Sequence, residues 1–188
     1  LRSLLQSLGI SLRSATEPID DTSTGKLMEG VLAAFAQFDN DCRSDRTRAG
    51  MKAALEIGRW VFLAPVGYIN APRSMGKSLL HDPERAPIIR QAFEDYATGR
   101  FTKQQILEQV TAAGLRNRRS QPLSSQAIGM LLRNQLYAGV IDVREYGVRG
   151  KRGDFEPIVT SELFDRAQTV LSGRLPSTAP KLRSHPDF

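Results

Sequence analysis

The stretch between Pro18 and Pro65 contains no proline, and it constrains the fold more than any other feature of the sequence. Proline inside a helix removes a backbone hydrogen bond and clashes with the preceding turn, so a run without it permits one long helix. Residues 22–24 (TST) are candidate N-caps, and Gly58 is a candidate stop. The sequence therefore predicts a helix over residues 23–57, roughly 50 Å long at 1.5 Å per residue. One face of its first half is apolar and is predicted to be buried, through Leu27, Val31, Ala34, Phe35 and Phe38.

The second half of this helix is mostly polar between residues 39 and 46. Such a half suits a helix that leaves its domain to meet a partner chain or DNA, although a helix lying along its own domain has the same pattern. Before it, residues 1–9 have helical spacing and residues 10–12 alternate like a short strand, as at the end of an α/β unit. Because the first residues resemble the interior of a domain, we expect the chain to be a fragment of a longer protein.

Positive charge is concentrated in one short region of the 188-residue chain, whose net charge is +6. Residues 1–64 carry eight basic and eight acidic side chains, whereas residues 115–152, here called the basic segment, carry eight basic and two acidic ones. The whole excess can be assigned to the basic segment. Clustered Lys and Arg side chains release counterions from nucleic-acid phosphates on binding. The basic segment therefore predicts DNA binding, with a solvated basic face as the alternative.

Composition argues against several other classes of protein. No apolar run approaches the ~18–20 residues that a membrane span needs, so no membrane partner is expected. Cys42 is the one cysteine, and His81 and His185 lie far apart in the sequence, which argues against disulfides and against a zinc site. The sequence predicts no metal, no cofactor and a cytoplasmic, nucleoid-associated location.

Residues 59–81 lose all periodicity, because two prolines and two glycines interrupt them. We interpret them as a linker or as an extended arm, with Arg59, Arg73 and Lys77 spaced along it. Arms of this kind lie in the minor groove in several classes of DNA-binding protein, and a plain linker has the same sequence character.

Helical spacing then returns, and three helices are predicted to begin at Asp82, Thr102 and Ser124. A hairpin follows, with residues 137–143 and 155–159 as its strands, and a fourth helix comes after it. Three helices followed by a hairpin is the order of a winged helix, whose third helix enters the major groove. The predicted fold is mainly α with a small β-hairpin: a long helix, then a winged-helix-like helical DNA-binding domain.

The basic segment holds most of the candidate DNA contacts. Arg116, Arg118 and Arg119 lie in the loop before the third helix, and each is either a phosphate contact or solvated. At the start of that helix, Gln can pair with adenine and Ser can approach phosphate or a base edge, or these residues simply cap the helix. Arg133, near the helix end, contacts DNA or meets the helix dipole. The remaining candidates are Ser124, Ser125 and Gln126 on the helix, and Arg144, Arg149, Lys151 and Arg152 on the hairpin.

Seven short motifs occur in order along the chain: TGKLM at 24–28, AFAQF at 34–38, DRTRAG at 45–50, PVGY at 65–68, DPERA at 82–86, LRNQLYAG at 132–139 and ELFDRAQ at 162–168. The first three resemble the long helix that closes the catalytic domain of serine recombinases, the group of resolvases, invertases and phage integrases. The last four resemble the "recombinase" domain of the large serine recombinases. The resemblance covers roughly residues 1–175.

The resemblance implies a site-specific recombinase that cuts DNA with a serine nucleophile, forms a 5′-phosphoserine link and needs no metal or nucleotide. Residues 1–58 would then be the end of the catalytic domain, 59–81 a linker or arm, 82–175 the DNA-binding domain and 176–188 a linker tail. The implied partner is double-stranded DNA, one attachment-site half-site. The full-length protein would also self-associate through the long helix.

Little of the catalytic apparatus of that family matches this chain. Arg46 matches an arginine of the long helix and Asp45 its acidic neighbour, whereas another arginine common on that helix is replaced by Asn40. The nucleophilic serine is expected upstream, so the fragment is expected to be inactive in cleavage. With one cysteine, the zinc ribbon of the family is expected to be absent.

Two other functions fit the same sequence. One is a non-catalytic winged-helix regulator that binds DNA in its own right. The other is an α-helical protein-interaction module whose basic face is incidental, and affinity for DNA that did not depend on salt would favour it.

Overall fold

The structure, a computed structural model, describes Leu8 and residues 22–173, and of Arg73 it describes only the backbone. The chain forms two compact units, Leu1–Gly50 and Met51–Phe188. The predicted helix and strand before residue 12 and the predicted tail at 176–188 lie outside the described residues, apart from Leu8.

The first unit contains most of the long helix α1, Ser23–Glu56, and this confirms the predicted helix to within one residue. Thr22 is its N-cap. The Thr22 side-chain oxygen accepts a hydrogen bond from the Gly25 amide at 3.0 Å, and its carbonyl accepts one from the Lys26 amide at 3.0 Å. These bonds satisfy two of the amides that the first turn of a helix leaves without a partner.

The apolar face of α1 is exposed, and the prediction that it is buried was wrong. Leu27 and Phe35 are 68% and 67% exposed, and Val31 and Phe38 are exposed as well. Helical spacing identifies which residues share a face, but a face is buried only where another element covers it. No element among the described residues covers this one.

The second unit includes residues 59–81, which are folded and do not form the predicted linker or extended arm. Strands β1, Tyr68–Asn70, and β2, Leu79–His81, pair antiparallel with Tyr68 opposite His81. Tyr68 and Leu79 are buried. Strands of three residues are too short to show a two-residue period, so the sequence pattern missed them.

Buried hydrogen bonds join this hairpin to residues far along the chain. The Tyr68 hydroxyl donates to a backbone carbonyl and accepts from the Ile158 amide, each at 3.0 Å. The buried Ser78 hydroxyl donates to the Asp154 carboxylate and accepts from the Trp60 amide at 2.9 Å. Because these buried polar groups are paired, the hairpin is an integral part of the second unit.

Three helices follow as predicted: α2, Arg85–Ala97, α3, Lys103–Ala112, and α4, Ser125–Arg133. Thr102 forms a capping box at the start of α3, and Ser124 caps α4. Such caps contribute about 1 kcal/mol each to helix stability. The apolar faces of the three helices meet in the core through Ile89, Phe93, Ile106, Val110, Ile128 and Leu132.

The second hairpin closes earlier than predicted. Its strands are β3, Val140–Val143, and β4, Val148–Arg152, joined by a 3-10 turn at Arg144–Tyr146. Residues 155–159, predicted to be the return strand, form a loop whose Phe155, Ile158 and Val159 are buried. The true return strand is mostly basic and exposed, so it lacks the apolar alternation by which strands are recognised.

The last helix, α5, Ser161–Leu171, completes the second unit. Phe164 packs on Phe93 of α2 with ring centroids 6.0 Å apart, and the Gln168 amide donates to the Leu132 carbonyl of α4 at 2.7 Å. The observed order of three helices, hairpin and helix confirms the predicted fold class, to which the structure adds the β1–β2 hairpin.

Candidate nucleic-acid interface

Helix α4 has one buried and one exposed face. Its buried face is made by Ile128, Gly129, Leu131 and Leu132. Ser125, Gln126 and Met130 are exposed on the other side. The Ser124 oxygen accepts from the Ala127 amide at 3.2 Å, and a hydroxyl that accepts can still donate its own proton. Capping therefore leaves this serine able to contact an anion.

Arg133, at the end of α4, is held against its own helix. Its Nη1 donates to the Gly129 carbonyl at 3.1 Å. The same guanidinium acts on Tyr96 of α2: burial raises the pKa of Tyr96, and the positive charge of Arg133 partly opposes that rise. Arg133 thus has a structural partner and a place at the helix C-terminus, where a cation is stabilised by the dipole.

The three arginines predicted as contacts in the loop before α4 have different partners in the structure. Arg116 caps α3, because its Nη1 donates to the Thr111 carbonyl at 2.9 Å and to the Leu115 carbonyl at 3.0 Å. Arg118 is exposed and donates to the Ala64 carbonyl. Arg119 is exposed, and its backbone amide is held by the Asn117 side chain at 2.8 Å.

Arg118 and Arg119 line an open depression together with Pro65 and Val66. Its volume is about 420 Å³. The structure therefore brings two predicted contacts of the basic segment next to the segment that precedes β1. Arg116 is directed to the end of α3 instead.

The β3–β4 hairpin carries four exposed cations. Arg149, Lys151 and Arg152 follow one another on β4, and Arg144 lies in the turn between the strands. Within residues 22–173, none of these four forms an ion pair with a carboxylate. Their charges are therefore available to an external anion.

A cavity of about 240 Å³ lies where the end of α4 meets this hairpin. Arg133 and Arg144, eleven positions apart in sequence, line the same cavity, and Asp142 contributes a carboxylate to it. The remaining wall residues are Trp60, Asn134, Gln135, Leu136 and Val140. Two predicted contact residues from different elements therefore line one cavity.

Aromatic contacts fix the hairpin turn to the start of the second unit. Tyr146 lies 5.9 Å from Phe62, and Phe62 lies 5.2 Å from Trp60, between ring centroids. The Tyr146 hydroxyl also donates to the Met51 sulfur at 3.5 Å. The turn of the basic hairpin is thus packed against residues that precede β1.

Four predicted site residues lie apart from these clusters. Lys77 is exposed between β1 and β2, and Arg59 is half-buried after the end of α1. The backbone of Arg73 is in a 3-10 turn, Arg73–Met75. Arg46 is exposed on α1 and belongs to the first unit. None of the four contributes to either of the two cavities above.

Sequence reasoning missed Met130. Its side chain is 67% exposed in the middle of α4. The signal was available: Met130 lies four positions after Gln126 and three before Arg133, so helical spacing places it on the polar face.

Two findings concern metals and membranes. Within residues 22–173, no three or more His, Cys, Asp or Glu side chains come close enough together to hold a metal ion. In the same part of the chain, no helix combines the length and the apolar character that crossing a membrane requires.

Two family models match this chain, in the order in which its units occur. "Resolvase, N terminal domain" matches residues 1–60, and "Recombinase" matches residues 83–174. Together they define a protein of the serine recombinase class. The second model, which covers the helices and the basic hairpin described above, makes the assignment narrower: the chain belongs to the large serine recombinases.

Solved structures share the fold. One is described as the crystal structure of an LSR–DNA complex; it has a TM-score of 0.55 and 21% identity, over 68% of this chain and 38% of that one. Another, from work on the sequence requirements of the Listeria innocua prophage attP site, also has a TM-score of 0.55 and 21% identity, over 70% of this chain and 54% of that one. This chain therefore spans 38% of the length of the first protein and 54% of the length of the second. No curated protein matched the chain.

Proposed function

We propose that this chain is the DNA-binding portion of a site-specific serine recombinase and that it holds one attachment-site half-site. The observation that carries the proposal is the group of exposed cations on the β3–β4 hairpin, which form no ion pair within residues 22–173, together with the exposed polar face of α4. The two similar structures come from work on a recombinase–DNA complex and on a prophage attachment site, and they support the same reading.

The proposed division of labour follows from chemistry. On this proposal α4 enters the major groove, where Ser125 and Gln126 face base edges. Arg149, Lys151 and Arg152 contact phosphates on one side, and the depression with Arg118 and Arg119 contacts them on the other. Phosphate contacts set the position of the protein on the duplex, and base contacts set the sequence that it prefers.

The test removes charge from the hairpin without removing bulk. The triple variant R149Q/K151Q/R152Q is expected to bind duplex DNA more weakly, because each lost phosphate contact reduces the slope of log affinity against log salt by about 1. Fluorescence anisotropy with a labelled duplex at several salt concentrations measures both quantities. The expected change in slope is therefore about 3.

A matched control takes the same number of charges from elsewhere in the unit. Arg100, Lys103 and Arg166 are exposed and lie outside the hairpin and α4. The variant R100Q/K103Q/R166Q is expected to keep most of the wild-type slope. Equal losses in the two triple variants would mean that net charge alone governs binding, and the proposed interface would be wrong.

We also propose that the serine that attacks DNA is not among residues 22–173. Several described serine hydroxyls already have structural roles: Ser78 bonds to Asp154, Ser124 caps α4, and Ser172 donates to the Thr169 carbonyl at 2.9 Å. These residues would contribute recognition of DNA, while strand cleavage and exchange belong to the whole recombinase.

Self-association of the recombinase through α1 is the remaining part of the proposal. Its support is the exposed stripe of Leu27, Val31, Phe35 and Phe38, because a row of large apolar side chains on one helix face is typical of a surface that another chain covers.

A further inference from the structure

Met130 is the one large apolar side chain on the exposed face of α4. Its neighbours on that face, one helical turn away on each side, are Gln126 and Arg133. The other large apolar residues of α4, Ile128, Leu131 and Leu132, are buried in the core, whereas Met130 is 67% exposed. The fold therefore gains little from a methionine at this position, and the side chain is free to contact something else.

We infer that Met130 contacts the 5-methyl group of a thymine in the major groove and sets a thymine preference at one position of the DNA site. The inference rests on the proposed function, since it assumes that α4 lies in that groove. The thymine methyl is the one apolar group that bases present there, and apolar side chains recognise it. A thioether on three rotatable bonds is a flexible apolar group that adapts to such a contact.

The charge around Met130 favours DNA over a protein as the occupant. The loop before α4 carries Arg118 and Arg119, and the hairpin after it carries Arg149, Lys151 and Arg152. An exposed apolar residue on a helix that basic segments precede and follow complements a polyanion that has apolar groups in its groove. Isolated apolar residues on a surface are common in themselves, so the surroundings carry the argument.

The experiment compares the wild-type chain with Met130→Ala. Each is used to select duplexes from a randomised library, and the base preference is measured at every position of the enriched site. The wild type is expected to show a thymine preference at a position where Met130→Ala shows none, with the preferences at the other positions kept. Because the residue is exposed and alanine is the best helix former, the variant is expected to fold.

Replacing thymine by uracil then isolates the methyl group. At the selected position, this replacement is expected to lower wild-type affinity about fourfold, the usual effect of losing one buried methyl contact. It should leave the affinity of Met130→Ala unchanged. Met28→Ala, in α1, removes an equally apolar exposed side chain outside α4 and should respond to uracil as the wild type does.

The outcomes separate this inference from the function on which it rests. If the wild type binds no duplex in a salt-dependent manner, the proposed function itself fails. If it binds but uracil has no effect at any position, or lowers the affinity of Met130→Ala equally, the thymine contact alone is overturned. Unchanged DNA preferences together with altered self-association in Met130→Ala would assign the side chain to a protein contact and would also overturn it.

Discussion

At the scale of single residues, the buried tyrosines show how one hydroxyl can join distant parts of the chain. Tyr68 bonds to the loop at Ile158, and the Tyr137 hydroxyl donates to the Val66 carbonyl at 2.8 Å. The two rings stack with centroids 6.0 Å apart. These contacts bring the β1–β2 hairpin and the loop after β4 into one core, which no local pattern in the sequence indicates.

Tyr68→Phe is expected to lower the free energy of unfolding by about 1–3 kcal/mol, because the buried Ile158 amide loses its partner. Urea unfolding followed by circular dichroism measures the change. Tyr146→Phe is the control. Within residues 22–173, its hydroxyl donates to a weakly accepting methionine sulfur at 3.5 Å, so the expected cost is a few tenths of a kcal/mol. Equal effects in the two variants would contradict this account.

The same substitution has a signature in pH. Burial raises the pKa of Tyr68 and of Tyr137 above the usual value of 10. The folded state therefore keeps these protons when the unfolded state loses them, so their contribution to stability is fully present below pH 10 and is lost as pH rises further. Since Tyr68→Phe removes one of the two groups, its stability should fall less steeply above pH 10 than that of the wild type.

The three arginines of the loop before α4 have different structural partners, and the sequence alone could not distinguish between them. Arg116, Arg118 and Arg119 are equivalent in the sequence pattern, yet Arg116 caps α3 and Arg118 and Arg119 line a depression. Which carbonyl a guanidinium reaches depends on where the chain turns. Their role as DNA contacts stays a prediction.

At the scale of elements, the base of the β3–β4 hairpin is fixed to the end of α1. The Asp154 amide donates to the Gly58 carbonyl at 2.8 Å, and Gly58 has a φ of +85°. A Cβ at this position would overlap the Arg152 carbonyl oxygen. Two independent features therefore require glycine at position 58: the left-handed backbone conformation and the close approach of the basic strand.

Gly58→Ala is expected to destabilise the chain and to displace the basic hairpin. Gly114→Ala is a close control, because Gly114 has a φ of +88° and nothing lies near its missing Cβ. Both variants incur the strain of a left-handed alanine, about 1–2 kcal/mol, and only Gly58→Ala adds the clash. Thermal unfolding should therefore show a larger loss for Gly58→Ala, accompanied by weaker DNA binding. Equal losses would mean that the hairpin base moves freely.

The elements also differ in how well their patterns predict them. Helices α1, α3, α4 and α5 begin at capping residues, and all five helices have apolar spacing that the sequence displays over at least two turns. The two hairpins were missed or misplaced, because β1 and β2 have three residues each and β4 is basic. Short strands are stabilised by pairing with a neighbouring strand, and the identity of that neighbour depends on the tertiary structure.

At the scale of the whole molecule, the exposed apolar stripe of α1 is the feature that bears on self-association. Leu27, Val31, Phe35 and Phe38 have the helical spacing of a buried face, but their side chains are exposed to solvent in the single chain. Covering it by a second copy would remove large apolar side chains from water, and each fully buried one contributes about 1.5–3 kcal/mol.

The double variant L27E/F35E is expected to shift the chain from dimer to monomer, because it places charges within the proposed contact. Analytical ultracentrifugation over a range of concentrations measures the shift. The control A33E/N40E puts the same charges on the opposite side of α1, where both residues are exposed, and it should leave the association unchanged. A wild-type chain that stays monomeric at the highest concentration reached would contradict this prediction.

The sequence by itself determined the helices, their caps, the winged-helix order and the concentration of charge between residues 115 and 152. These depend on spacing, propensity and composition, which are local properties. The tertiary structure decided that residues 59–81 belong to the core, that Arg116 faces α3, that the α1 stripe is exposed and that Met130 is left outside the core. Each of these depends on which surfaces meet, and that is a property of the folded chain, because a side chain's burial and partners come from residues distant in sequence.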